Sequence, residues 1–159
     1  MLKAVDHVNI VVDDMSLMLG FYRDALGLKV TQDVVISGDW IAAVVGLKNV
    51  KARVIYLELG PSPGAGTRIE LIKYESPISL QLADQDQPHA LGIRHMAFAV
   101  DDIDVIVERL KNRGVTFSSQ VMQVPNTQVQ YAGNIRKRLV YFQDPEGNIL
   151  ELCEYRAGE

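Results

Sequence analysis

One stretch of the chain occurs twice. Val5 to Met15 (VDHVNIVVDDM) lies over Ile93 to Ile103 (IRHMAFAVDDI) at a constant offset of 88, so His7 matches His95, Val12 matches Val100, and Asp13 and Asp14 match Asp101 and Asp102. A second pair, Arg68 to Tyr74 (RIELIKY) over Ile149 to Tyr155 (ILELCEY), runs at an offset of 81 and matches Glu70 with Glu151, Leu71 with Leu152 and Tyr74 with Tyr155. Each half opens with a histidine and closes with a glutamate. A repeat of this length means two like modules, and any fold assignment has to satisfy both at once.

The local patterns agree between the halves. Residues 5 to 12 alternate, with Val8, Ile10 and Val12 on one face and His7 and Asn9 on the other, the period of a half-buried strand. An amphipathic helix follows from about Ser16 to Leu26, with Ser16 as N-cap and Gly27 as the stop; its counterpart runs from about Ile103 to Arg113, capped by Asp102 and ended by Gly114. Three strands then follow in each half: 28 to 36, 53 to 59 and 67 to 74 in the first, and 115 to 124, 137 to 143 and 148 to 155 in the second. Gly60 to Gly66 reads as a hairpin break, and Asp144-Pro145-Glu146-Gly147 as the tight turn before the last strand. Residues 40 to 52 fit either a short helix or a loop. The order is βαβββ, repeated. This predicts an α+β fold in which two βαβββ modules form an eight-stranded cup-shaped sheet with the helices outside. The whole chain, 1–159, then reads as one domain of repeat 1 (about 4–75), a polar linker (76–91) and repeat 2 (about 92–156).

Composition narrows the function classes. Sixteen Lys and Arg against 20 Asp and Glu leave a net charge of −4, so no overall field draws the chain to nucleic acid or to an acidic membrane. No run of 18 apolar residues occurs, and Asp6, His7 and Asn9 interrupt the N-terminal stretch where a signal peptide needs apolar residues, so the expected location is cytoplasmic. The single cysteine, Cys153, excludes an intrachain disulfide and a cysteine-based zinc site. A bound metal would need nitrogen and oxygen ligands.

Four residues supply such ligands. Val8 and Ile10 face the helix, so His7 faces away; Ile69 and Leu71 face the helix, so Glu70 faces away. The second half repeats this with Met96 and Phe98 against His95, and with Leu150 and Leu152 against Glu151. A repeat that kept only a packing signature would repeat its apolar positions, with no reason to repeat a histidine and a glutamate on the other face. Closed into a cup, the four side chains would point into its concavity. Two imidazoles and two carboxylates suit one octahedral divalent ion with two open positions, and Ni, Co, Mn, Fe and Zn all accept such a set.

With these residues in place, VDHVNIVVDD, the following FYRDALGLKV, IELIKY, IRHMAFAVDDID and YFQDPEGNILELCEY resemble the vicinal oxygen chelate superfamily, also called the glyoxalase, bleomycin-resistance and extradiol-dioxygenase fold. The resemblance spans roughly residues 4 to 156. It implies a divalent ion that takes two substrate oxygens side by side and acts as a Lewis acid on developing enolate charge. Extradiol dioxygenases have counterparts of His7, His95 and Glu151 but no ligand at the position of Glu70. Bacterial-type glyoxalase I enzymes carry His, Glu, His, Glu in this order, and methylmalonyl-CoA epimerases usually place Gln at Glu70. The resemblance therefore implies a metal-dependent lyase or isomerase acting on a small carbonyl or thioester substrate, with Glu151 as general base and Glu70 as the second candidate. A ring-cleaving dioxygenase, a metal-free drug-binding protein of the resistance type and a thiol transferase to an antibiotic epoxide are the alternatives. A homodimer is expected, with the cup closed within one chain or between exchanged halves.

Several other residues bear on the substrate. Asn9 shares the face of His7 and is expected to touch substrate. The run Arg136-Lys137-Arg138 is placed just before the seventh strand, where Arg138 would neutralise a substrate carboxylate or a CoA phosphate. His89 has no partner in the first half and reads as a surface histidine. Glu58 is a lesser rival to Glu70, Cys153 reads as a small hydrophobe, and Trp40 and Phe117 either wall a pocket or fill the core.

Overall fold

The computed structural model describes residues 1–60 and 66–158, so most of the expected hairpin break at Gly60 to Gly66 lies outside the described residues. The chain divides within the linker into two compact units, Met1–Leu82 and Ala83–Glu159.

The first unit consists of β1 (His7–Val11), α1 (Met15–Leu19) continued by a π-helical turn over Gly20–Ala25, β2 (Lys29–Ser37), α2 (Asp39–Val45), β3 (Lys51–Glu58) and β4 (Arg68–Ser76). The second consists of β5 (His95–Ala99), α3 (Ile103–Lys111), β6 (Met122–Gln123), a 3-10 turn over Ala132–Asn134, β7 (Ile135–Gln143) and β8 (Ile149–Ala157). The α+β class and the repeated module are as the sequence predicts. The hydrogen bonding is confined to two four-stranded sheets, of order β1-β4-β3-β2 and β5-β8-β7-β6, in place of one continuous eight-stranded sheet. In both, the first strand runs parallel to the last and every other pairing is antiparallel.

Alternation decides which side chains each sheet gives to its helix. In the first unit Ile69 and Leu71 of β4 and Ile55 and Leu57 of β3 share a face, and they are buried together with Met15, Met18, Phe21 and Tyr22 of the α1 segment. In the second, Leu150 and Leu152 of β8 and Val140 and Phe142 of β7 share the helix side with Ile103, Val107 and Leu110, one stripe of α3. Each such side chain contributes roughly 1.5–3 kcal/mol by leaving water.

The N-cap of α1 is Asp14, two residues earlier than expected: its Oδ1 accepts from the backbone N–H of Ser16 at 3.0 Å and of Leu17 at 2.9 Å. A carboxylate serves the positive helix end better than the Ser16 hydroxyl would. Asp102 caps α3 in the same way, as expected, accepting from Asp104 and Val105. The two strands that follow the helix caps in register carry opposite braces. Lys73 Nζ donates to the Asp13 carbonyl at 2.5 Å, whereas Glu154, its match at the offset of 81, accepts from the Ile103 N–H at 3.1 Å.

Two further differences from expectation concern the weaker segments. Residues 39–45 are a helix, α2, ended by Gly46 at φ 70, a conformation that excludes most side chains. The segment 115 to 124 follows β7 through a Phe117–Phe142 bridge, a Ser118 N–H to Tyr141 carbonyl bond and a Val124 N–H to Lys137 carbonyl bond, but its ladder is regular only at Met122–Gln123.

Candidate metal centre

The face of each sheet opposite the helix-packing residues carries the repeated polar groups. In the first unit Asn9 stands opposite Glu70 and His7 opposite Arg68; in the second Ala97 stands opposite Glu151 and His95 opposite Ile149. The register is the same in both, so each histidine meets the glutamate two residues past its own partner. His7 Nδ1 lies 3.6 Å from Glu70 Oε1, and His95 Nε2 lies 3.3 Å from Glu151 Oε2. With metal–ligand bonds of about 2.1 Å, neighbouring donors on one ion stand about 3.0 Å apart at right angles and about 3.4 Å apart at the tetrahedral angle. His95 Nε2 and Glu151 Oε2 thus stand at a separation that suits two adjacent positions on a divalent ion, whereas in the first unit the ring nitrogen beside Glu70 is Nδ1. Among the described residues, neither unit by itself gathers three or more ligating side chains.

The glutamates are buried and the histidines are not: the Glu70 and Glu151 side chains are 11% and 3% exposed, against 43% and 39% for His7 and His95. An ionised carboxylate at that depth needs a partner. Glu151 has Lys137, whose Nζ is 2.6 Å from Oε1. The contact is a charged pair on a buried carboxylate oxygen. Burial works against the Lys137 charge, but the Glu151 carboxylate outweighs it and holds the ammonium's pKa above the ordinary lysine value. The Tyr141 hydroxyl is pushed up by burial first and then by the Glu151 charge. Its ring sits 5.0 Å from the His95 ring, centroid to centroid, and walls that imidazole.

The first unit surrounds its pair differently. Asp6 Oδ2 lies 2.8 Å from His7 Nδ1 and also pairs with Arg68, and these two hold the Asp6 carboxyl below the ordinary value, the His7 contact first. A carboxylate on one ring nitrogen orients an imidazole and leaves Nε2 as the metal donor, an arrangement common at metal-binding histidines. The Arg68 guanidinium lies 5.8 Å over the Tyr56 ring, and Tyr56 stands opposite Glu70 as Tyr141 stands opposite Glu151. Farther along this face Ala52, Val54 and Ile72 form a buried apolar cluster flanked by Ile36, Tyr56 and Tyr74.

Of the residues singled out by sequence, Asn9 lies exposed beside Glu70 on the expected face. Arg138 does not face His95 and Glu151. The run 136–138 is part of β7, and alternation with Val140 and Phe142 sends Arg138 to the helix side, where it binds Asp104 at 2.7 Å and Glu154 at 3.2 Å. Lys137, its neighbour, is the cation on the ligand face. His89 is exposed in the linker, and Phe117 packs on Phe142, on the core side. Glu58 alternates with Tyr56 and so lies on the Glu70 side of β3, and its charge acts on Arg68. Sequence reasoning missed Tyr141 and Asp6, and took Lys137 only as one of the run 136–138. The four-residue turn from Asp144 to Gly147, closed by a Gly147 N–H to Asp144 carbonyl bond at 3.0 Å, fixes Tyr141 against Glu151, and counting back from it would have found Tyr141 and Lys137.

Comparison with known proteins agrees with this fold. The model of the Glyoxalase/Bleomycin resistance protein/Dioxygenase superfamily matches residues 4–152. Among curated relatives, 2-epi-5-epi-valiolone epimerase from Actinomyces sp is 30% identical over 98% of this chain and 81% of its own, and the uncharacterised protein YaeR of Escherichia coli K12 is 29% identical over 96% and 97%. Among solved structures, a glyoxalase family protein from Bacillus cereus superposes with a TM-score of 0.77 at 28% identity, covering 98% of this chain and 95% of that one. The trypanothione-dependent glyoxalase I of Leishmania major shares the fold, with a TM-score of 0.62 at 20% identity over 96% and 87% of the two chains. The superfamily includes enzymes, and its members typically bind a divalent metal. A repeated module, the same His–Glu register in each half and a family match over nearly the whole length lead to one conclusion: the chain belongs to the glyoxalase/bleomycin resistance/dioxygenase superfamily.

Proposed function

We propose that the protein is a divalent-metal-dependent lyase or isomerase that moves a proton at the carbon beside a substrate carbonyl, with His7, Glu70, His95 and Glu151 as the metal ligands. The observation that carries this reading is the presence, in each unit separately, of an imidazole beside a buried glutamate on the sheet face opposite the helix, with His95 Nε2 and Glu151 Oε2 3.3 Å apart. A divalent ion bound there supplies Lewis acidity toward two substrate oxygens. The chain's own groups supply the rest. Glu151 takes the proton from the carbon onto Oε2 and returns it, Oε1 staying with Lys137, and its 3% exposure keeps bulk water from competing for that proton. Glu70, which has no lysine beside it, is the second acceptor. The Asn9 amide, next to Glu70 in register, is placed to donate to a substrate oxygen.

The epimerase among the relatives supports a reaction that removes and restores a proton at one carbon, and Glu70 in a ligand position weighs against a ring-cleaving dioxygenase. The test starts with metal analysis of protein purified without chelator or affinity metal, then reconstitution with Ni, Co, Mn, Fe and Zn. Exchange of the substrate's α-proton with deuterated solvent follows, over 2-oxoaldehyde thiol adducts, 2-substituted acyl-CoA thioesters and 2-epi-5-epi-valiolone. Exchange that depends on the metal is the expected result. Dioxygen uptake with a catechol and no exchange would replace this reading by the dioxygenase, and tight substrate binding with neither metal nor exchange would replace it by a binding protein.

A further inference from the structure

The two glutamates match in the repeat but not in their surroundings. Four residues before Tyr56 and Tyr141, on the same strands, stand Ala52 opposite Tyr74 and Lys137 opposite Tyr155. Ala52 is fully buried and carries nothing that reaches Glu70. Lys137 lies along the sheet face with its side chain 15% exposed, its ammonium 5.7 Å from the centre of the Tyr155 ring and 2.6 Å from Glu151 Oε1. The Glu151 oxygens are therefore divided between two partners: Oε1 belongs to Lys137, and Oε2 lies 3.3 Å from His95 Nε2.

We infer that Lys137 is a positioning residue that makes Glu151 a one-oxygen metal ligand, holding Oε1 so that Oε2 alone is offered beside His95. The inference rests on the metal-centre reading above. The energetics point the same way. If the ion took both oxygens, the ammonium would lose its carboxylate while staying mostly buried over an aromatic ring, and an unpaired buried charge is costly. Leaving Oε1 with Lys137 keeps the pair intact and frees a coordination position for a substrate oxygen. Glu70, with alanine at the matching position, is under no such constraint. Groups that orient a ligand in this way typically change metal affinity by about 10- to 100-fold when removed.

The test uses the full chain freed of metal and titrated with Co²⁺ against a competing chelator. Lys137→Met should change Co²⁺ affinity by about 10- to 100-fold from the wild type. The visible absorption of the bound ion, which reports coordination number, should change in Lys137→Met and return in Lys137→Arg. A second measurement needs no substitution: acetylation of Lys137 in the wild type, followed by mass spectrometry with and without Co²⁺. Lys137 should stay equally protected when the ion binds, because Oε1 remains with it. Faster labelling in the metal-bound protein would mean that Glu151 chelates with both oxygens and would overturn the inference, whether or not the Met variant folds. Wild-type binding with unchanged affinity and spectrum in Lys137→Met would also overturn it, with the metal centre still standing. Failure of the wild type to bind any divalent ion would instead bring down the metal-centre reading, and this inference with it.

Discussion

At the scale of single residues, histidines test the metal centre most directly. His95 stands 3.3 Å from a glutamate on the sheet face, and His89, six residues earlier, is exposed in the linker. His95→Ala should lower divalent-metal affinity sharply and His89→Ala should leave it unchanged, as read by chelator competition; equal losses would show that the repeat does not mark ligands. Glu151→Gln separates binding from chemistry. An amide oxygen still coordinates, so the variant should keep part of its metal affinity, at a cost in stability because Lys137 loses its carboxylate. It should lose about 10²- to 10⁴-fold in turnover, the usual cost of removing a positioned base. A loss confined to KM would make Glu151 a substrate contact.

At the scale of elements, the buried Glu154 ties β8 to α3 and β7. It is 1% exposed, accepts from the Ile103 N–H, and pairs with Arg138 at 3.2 Å and Arg156 at 2.8 Å. Glu154→Ala should destabilise the protein by about 1–3 kcal/mol, since it leaves the buried Ile103 N–H without its acceptor and takes from Arg138 one of its two carboxylates. Chemical denaturation measures this, and a change under 1 kcal/mol would show that water replaces the carboxylate at no cost. The same element explains what the sequence made legible. His7, Glu70, His95 and Glu151 could be read because alternation and the repeat act along the chain. Arg138 was misplaced because the run 136–138 was read as preceding the strand; alternation with Val140 and Phe142 sends it to the helix side, where Glu154 meets it. The helix α2 was open because its Ile and Val residues are poor helix formers, and flanking glycines and tertiary packing decide such a short segment.

At the scale of the whole molecule, charge pairs set the response to acid. The carboxyls of Asp6, Asp33 and Asp104 are each held below the ordinary value of 3.8, chiefly by hydrogen bonds from His7, Arg53 and Arg138 respectively. Groups whose values are lowered by folding stabilise it fully above that ordinary value and lose the effect as the pH falls through the depressed ones. The melting temperature should therefore be flat from about pH 7 to 5 and fall below about pH 4. Calorimetry across that range is the check; a drop already near pH 6 would mean that histidines, and not these aspartates, control acid stability. Among the described residues no helix is long and apolar enough to cross a membrane.

The opposite braces at the two helix starts, Lys73 on the Asp13 carbonyl and Glu154 on the Ile103 N–H, have an evolutionary consequence. If the halves descend from one duplicated ancestor, their ligand positions have been kept while the supports behind them have drifted to opposite charge. Recombination between the halves would then be penalised. A gene conversion that copied β8 into the place of β4 would set a carboxylate against the Asp13 carbonyl, where an ammonium now donates. Each half is free to specialise its own carboxylate because the other can no longer overwrite it.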